Sequence, residues 1–416
     1  MTKKENEKLV PNLRFKGFTD DWIQRQLSDL ATHFDYGLNA SAKEFDGKNK
    51  YLRITDIDDE MRTFNLDNLK SPTGNLSGKE EYLIRKEDIV FARTGASVGK
   101  SYLHKEIIKD VYFAGYLIRI RSKNGIEPKF IFYNTLTSEY KKFVKITSAR
   151  SGQPGINANE YKSYKLYTPN YSEQKSIGKM LSKIDKIITL EQEKLAYYEL
   201  IRENILSKVF PLGESLIPEL RFKYFKGNWV QIPLSEISDK VNNKNTDKKY
   251  TIKLTNSATQ GIMSQSEYFD KQISNPKNID NYYVVNNDDF VYNPRISLSA
   301  PYGPLNRNTL GFTGIMSPLY YVFKPKNINL DYLEYYFKST NWHRFMYQNG
   351  DTGARSDRFS ISNKLFETMP IKVSVQIEQD KIGKMLKQFD DIIIHEQHRV
   401  EKLNKIKKTL LNNLFV

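Results

Sequence analysis

Cysteine is absent from all 416 residues, which excludes a disulfide framework, a thiol nucleophile and a thiolate metal site. Long apolar runs are absent too. No stretch approaches the roughly 18 residues of a membrane span, and no signal-type hydrophobic segment opens the chain. A protein that neither spans a membrane nor is exported is expected, and with it a cytoplasmic location. Acidic residues are in short supply: 49 Asp and Glu stand against 64 Lys and Arg, a formal charge of +15. That imbalance points to a polyanionic partner, or else to a merely basic surface of scattered lysines.

Catalytic strings are also missing. The chain contains no NPPY or DPPY motif, no serine nucleophile elbow, and no spaced acidic pair followed by Glu-x-Lys. Asp58 and Asp59 are a carboxylate pair of the sort common in turns. The string RTGASVGKS, Arg93 to Ser101, imitates a phosphate-cradling loop. Only three residues separate Gly95 from Gly99 where four are required, and the following YLHKEII is no obvious helix. His395 and His398 lie three apart on a helical stretch, but without cysteine or a third ligand they read as solvated positions. The chain is expected to be no enzyme and to need no cofactor and no metal.

What the sequence does contain is itself, twice. Glu173 to Phe210 reads EQKSIGKMLSKIDKIITLEQEKLAYYELIRENILSKVF, and Glu378 to Phe415 reads EQDKIGKMLKQFDDIIIHEQHRVEKLNKIKKTLLNNLF; without a gap, 15 of 38 positions are identical. Such a repeat governs the reading of everything else. In the first copy Ile177, Leu181, Ile184, Ile188, Glu191, Leu195, Tyr198, Arg202, Ile205 and Val209 follow the four-three spacing of a coiled-coil seam. In the second the seam is Ile382, Leu386, Phe389, Ile393, Glu396, Val400, Leu403, Lys407, Leu410 and Leu414. Parallel packing in register would set Glu191 on Glu396 and Arg202 on Lys407, like charge on like. Antiparallel packing that opposes Glu191 with Lys407 also opposes Arg202 with Glu396, and leaves the other facing pairs apolar. Each helix would be roughly 57 Å long at about 1.5 Å per residue.

The repeat extends further. PNLRFKGFTDDWIQRQLSDL, Pro11 to Leu30, returns as PELRFKYFKGNWVQIPLSEI, Pro218 to Ile237. It reads as a strap leading into a domain, with Trp22 and Trp229 as apolar anchors. Between strap and helix lie short β-like runs divided by Gly, Asn and Ser turns: YLRITDI, DIVFART and YFAGYLIRIRS in the first half, TIKLTN, DDFVYNPRIS and GIMSPLYYVF in the second. A helical pattern follows in each, from Pro128 and from Leu330, and then the loops SARSGQPGIN and GARSDRFSIS. Phe210-Pro-Leu-Gly ends the first long helix, because proline cannot continue the ladder and glycine suits the exit. The expected fold class is α+β, an internal two-fold repeat of two β-rich domains joined by two long antiparallel coiled-coil helices. Its expected boundaries are 1–172 and 218–377 for the domains, and 173–217 and 378–416 for the helices.

Arginines in polar loops can fork onto guanine edges or clamp phosphates. The candidates for nucleic-acid contact are Arg93, Thr94, Lys100 and Arg150 in the first half, and Arg295, Arg307, Arg355 and Arg358 in the second. For each, the competing role is a local ion pair or plain solubility.

With repeat, helices and basic loops in place, the chain resembles the specificity subunit of Type I restriction-modification systems from Pro11 to Phe415. The straps PNLRFKGF and PELRFKYF with their tryptophans, and the openings EQKSIGKML and EQDKIGKML, carry the likeness. The resemblance implies two target-recognition domains that each read one part of a split double-stranded DNA site. It also implies helices that set the separation and bind two methyltransferase subunits, and catalysis, S-adenosylmethionine and ATP use confined to methyltransferase and restriction partners. A structural scaffold for two proteins, and a stand-alone nuclease or methyltransferase, are the alternative readings.

Overall fold

The computed structural model describes residues 9–105, 107–149, 152–268, 279–352 and 357–416. The chain divides into two units, Met1–Glu193 with His398–Val416, and Lys194–Gln397. Both long helices, Tyr171–Val209 and Gln376–Asn413, contribute to each.

In the first unit a four-stranded antiparallel sheet runs in the order Ala31–Tyr36, Leu117–Ser122, Ile89–Ala92, Ser101–Leu103. Ile89–Ala92 is buried along its whole length, and alternation explains how. Ile89 and Phe91 face a core shared with Ile118, Ile120 and Phe130, while Val90 and Ala92 face a second core with Leu52, Phe113 and Leu117. A strand covered on both faces reads as a continuous apolar run. The helical pattern from Pro128 is two helices, Pro128–Asn134 and Ser138–Thr147; the Thr137 side chain caps the second by accepting from the Tyr140 amide.

The second unit uses the same plan with other side chains. Its sheet runs Ser238–Lys240, Tyr321–Pro325, Phe290–Tyr292, Leu305–Arg307. Phe290 and Tyr292 enter one core with Phe323, and Val291 and Val322 enter the other. The helical pattern from Leu330 again divides, into Leu330–Lys338 and His343–Asn349. Asp289, next to Phe290, is buried without a cation hydrogen-bonded to it, and burial pushes its carboxyl up to about 6.

The contacts of the repeated segments explain their composition. Glu173 is fully buried and accepts from Nε and Nη2 of Arg14, both at 2.8 Å. In the second unit Glu378, equally buried, accepts from Arg221 at 2.8 and 2.9 Å. The next residue, Gln174, accepts the Glu127 amide that opens the Pro128 helix and donates to Pro169 O; Gln379 does the same with Asn329 and Ser374. A Cβ on Gly178 would lie 2.9 Å from Lys129 Cβ, and one on Gly383 2.9 Å from Asp331 Cβ, so glycine lets the two helices close up. The strap tryptophans anchor as expected. Trp22 packs edge-on against Phe130 and Phe415 at 5.7 and 6.5 Å, and Trp229 against Phe210 at 6.3 Å. The first long helix ends at Val209, and Lys372 Nζ then holds Pro211 O and Gly213 O at 3.1 and 2.7 Å.

The long helices run antiparallel within each unit, but not in the register expected from seam charges alone. In the first unit Lys407 pairs with Asp185 at 2.7 Å and Arg399 with Glu191 at 2.9 Å. In the second Arg202 pairs with Asp390 at 2.9 Å and Lys194 with Glu396 at 2.7 Å. Glu191 therefore does not meet Lys407, nor Arg202 Glu396; the helices are displaced by about one heptad. The partners come from positions beside the seam, and flanking charges set orientation in helix pairs. The ends impose the same displacement, because Phe415 must reach Trp22 and Phe210 must reach Trp229. Of the seam positions, Ile177, Leu181, Ile188, Val209, Ile382, Leu386, Glu396, Lys407 and Leu414 are buried; Ile184, Glu191, Leu195, Tyr198, Arg202, Ile205, Phe389, Ile393, Val400, Leu403 and Leu410 are half-buried. Reversing Lys407 to Glu is expected to destabilise the first unit by about 1–3 kcal/mol, and Asp185→Lys in the same chain to recover most of it. A double-mutant cycle with Glu191→Lys in place of Asp185→Lys should show the weaker coupling, and equal coupling would restore the seam-only register.

Candidate nucleic-acid interface

In both units the central strand runs out into an arginine-bearing turn fastened to the loop after the helices. In the first, Ile89–Ala92 leads to Arg93 and Thr94. Thr94 forms a bridge with Gly155, Arg93 O accepts from the Ile156 amide at 2.8 Å, and Pro154 O accepts from Gly95 at 3.0 Å. In the second, Phe290–Tyr292 leads to Pro294 and Arg295. Arg295 forms a bridge with Arg358, and Pro294 O accepts from the Phe359 amide at 2.8 Å. Two candidates far apart in sequence, Arg295 and Arg358, are thus neighbours. Arg150 and Arg355 lie outside the described residues.

Arg93 borders an open cleft of about 860 Å³. Its guanidinium lies over the Tyr36 ring, 4.7 Å from the centroid, and Nη1 donates to Gly115 O at 3.5 Å. Stacking preorganises a planar fork without covering its donors. The floor is bare: a Cβ on Gly37 would meet Ala114 O at 2.2 Å, and Gly115 lies alongside. Tyr116, Asn39 and Gln153 complete the rim, with Tyr116 66% exposed. Arg53, also on the rim, is held by a two-point hydrogen bond to Asp56. An aromatic wall, amide side chains and a cation over a bare floor suit the edges and phosphates of a nucleic acid.

In the second unit Arg295 is 65% exposed and its ion pair with Asp357 is long, 3.6 Å. A pair so exposed contributes little and yields readily to a polyanion. A second hollow of about 710 Å³ lies nearby, lined by Thr259, Gln260, Ser299, Asn306 and His343. Burial lowers the pKa of His343 below its ordinary value.

Two of the sequence candidates are structural cations. Lys100 is 7% exposed, with Nζ 3.0 Å from Ile57 O and 2.5 Å from Asp59, so it ties down the loop before it. Arg307 is clamped by Asp288, by Asp331 at 2.7 Å and by Glu334 at 3.6 Å. Arg307 still borders the second hollow, with its guanidinium engaged by these carboxylates. After RTGASVGK the chain enters the strand Ser101–Leu103 rather than a helix, so the loop does not open a helix as a phosphate-cradling loop does. Among the described residues no group of three or more His, Asp or Glu is placed to hold a metal, and no helix is long and apolar enough to cross a membrane. Tyr36, Tyr116 and Gln153 were missed from the sequence; the available signal was the tyrosine beside glycine in Tyr36-Gly37 and Gly115-Tyr116, an aromatic at a strand end where backbone comes close.

Residues 19–198 match the family described as Type I restriction modification DNA specificity domain. The putative type I restriction enzyme MjaX specificity subunit of Methanocaldococcus jannaschii is 24% identical, over 95% of this chain and 93% of its own length. The type I restriction enzyme MjaVIII specificity subunit of the same organism is 22% identical, over 99% and 95%. Among solved structures, the S subunit of a type I restriction-modification system from M. genitalium covers 98% of this chain and 99% of its own, with a TM-score of 0.59 and 15% identity. A chain solved in work on complex assembly and conformational transition of the type I R-M system covers 94% and 97%, with a TM-score of 0.52 and 15% identity. With two arginine-bearing units, a specificity-domain match over residues 19–198 and relatives aligned over nearly its whole length, this chain is similar to Type I restriction-modification specificity subunits.

Proposed function

We propose that this chain gives a Type I restriction-modification complex its DNA specificity, reading a split double-stranded target with two domains. Residues 1–172 and 218–377 are the target-recognition domains, related by an internal two-fold repeat. The helices of 173–217 and 378–416 form an antiparallel coiled coil whose length fixes the spacer of the target and whose surface docks two methyltransferase subunits. Methyl transfer and cleavage belong to the methyltransferase and restriction partners, in the cytoplasm where the DNA is, and this chain needs no cofactor of its own.

The observation that carries the reading is the recurrence of one device with different chemistry. Each unit fastens a turn to the loop after its helices, but the first presents Arg93 against Tyr36 and the second Arg295 beside Arg358. Equal frameworks with unequal tips suit two different short sequences. The ion pairs Asp185–Lys407 and Asp390–Arg202, at matching places in the two helix copies, support the coiled coil.

Arg93→Ala is expected to weaken or relax one part of the target by about 1–3 kcal/mol, and Arg295→Ala or Arg358→Ala the other part. A residue that contacts phosphate instead should lower the salt slope by about one unit. Binding by the chain with its cognate methyltransferase, to duplexes mutated in either part, separates these outcomes. Unchanged binding in all three variants would remove the turns from the interface.

A further inference from the structure

The turn that carries Arg295 ends in an apolar side chain with no packing partner. Leu298 is fully exposed, at 106%, although leucine at the tip of a polar turn gains nothing from water. The turn is firm. The Ser297 amide donates to Ala300 O at 3.0 Å and the Ala300 amide to Ser297 O at 3.1 Å; the Ser297 and Ser299 hydroxyls lie 3.2 Å apart. Its base is set by the Ile296 amide donating to Asp357 O at 3.1 Å and by Gly303, where a Cβ would fall 2.0 Å from Asn293 O. Leu298 is therefore held out on a rigid support, between two hydroxyls and next to two arginines.

Resting on the DNA-reading assignment above, we infer that Leu298 is a specificity-determining residue that packs against the 5-methyl group of a thymine in the major groove. Among base edges, the thymine methyl is the apolar feature, and the major groove alone displays it. The flanking Ser297 and Ser299 hydroxyls serve either edge polarity, and Arg295 and Arg358 supply the phosphate or guanine contacts that hold the turn in the groove. The corresponding turn of the first unit, Thr94-Gly95-Ala96-Ser97, carries no large apolar side chain. Methyl readout thus belongs to one part of the target. A wedge between base pairs would be built from apolar side chains, whereas here the residues on both sides of Leu298 are serines.

The test uses the chain assembled with its cognate methyltransferase, on the duplex found by sequencing its methylated sites. Thymines in the part read by the second unit are replaced singly by uracil, which removes only the methyl group. The parent should lose about fourfold in affinity at one of these positions, the value of one methyl withdrawn from water. Leu298→Ala should lose a similar factor on the thymine duplex, be indifferent to the same replacement, and unfold where the parent does. The inference is overturned if that part of the target lacks thymine, if no uracil replacement affects the parent, or if Leu298→Ala keeps the parent's full sensitivity. Unstacking of a base step on binding, reported by 2-aminopurine, would make Leu298 a wedge and equally overturn it. Loss of all sequence preference by the parent is a different result, and would strike the DNA-reading assignment itself.

Discussion

Arg14→Ala is expected to destabilise the first unit by about 3–5 kcal/mol, and Arg221→Ala the second unit by the same amount. The reason is the burial of the partner. Glu173 and Glu378 have no exposed side-chain surface to speak of, and the two-point hydrogen bonds from Arg14 and Arg221 are the ion pairs each carboxylate makes. Truncating the arginine strands a charge out of water, and a stranded buried charge costs far more than the intact pair contributes. Arg14→Lys should recover little, since an ammonium cannot replace the planar fork. Replacing both partners, Arg14→Met with Glu173→Leu, should recover most of the stability. Urea unfolding reads this through Trp22 in the first unit and through Trp229 and Trp342 in the second. At a slope of about 2 kcal/mol per molar, the midpoint of the affected unit should fall by roughly 2 M. A midpoint moving by less than about 0.3 M would mean that the strap is not fastened through this pair.

The second large effect concerns specificity. Exchanging residues Ala31 to Tyr171 for the corresponding segment of a relative should switch one part of the target and leave the other untouched. Each mismatched base pair typically costs about 1–3 kcal/mol, so rewriting three positions changes preference on the order of a thousandfold or more. The exchange keeps Arg14 and Trp22 on one side and Glu173 on the other, so the fastening of strap to helix survives. It removes Phe130, whose ring packs against Trp22 and Phe415 at 5.7 and 5.2 Å. A donor without an aromatic there should fold poorly, for a reason unrelated to DNA. Both parts changing together would deny the two units separate roles.

Much of this architecture was legible in the chain, and the reasons are specific. The seam spacing over Ile177 to Val209 marks a long helix because few other structures sustain it, and the helices span Tyr171–Val209 and Gln376–Asn413. Ile89–Ala92 was legible as a strand because both its faces are apolar. The axial register was not, since Asp185, Lys194, Asp390 and Arg399 lie off the seam, and their roles depend on where Phe210 and Phe415 dock. The repeated Glu-Gln of EQKSIGKML could be recognised as repeated, but its meaning, an arginine fork from the strap and a cap for a neighbouring helix, needed the fold. The basic residues show the sharpest limit. Arg93 and Lys100 look alike in a glycine-rich string, yet one stacks at an open cleft and the other is buried on Asp59, a partner some 40 residues away. Sequence near a cation does not reveal which carboxylate folding brings to it. For the same reason Leu298 drew no attention: exposure is a property of the turn and not of the residue.

The most direct measurement of the central claim is sequencing of methylated sites in DNA exposed to this chain together with its cognate methyltransferase, with each partner alone as control. The account predicts adenine methylation only when both are present, at a target of two dissimilar specific parts flanking an unspecified spacer of constant length. A continuous palindromic target, a spacer of variable length, or methylation by this chain alone would contradict it.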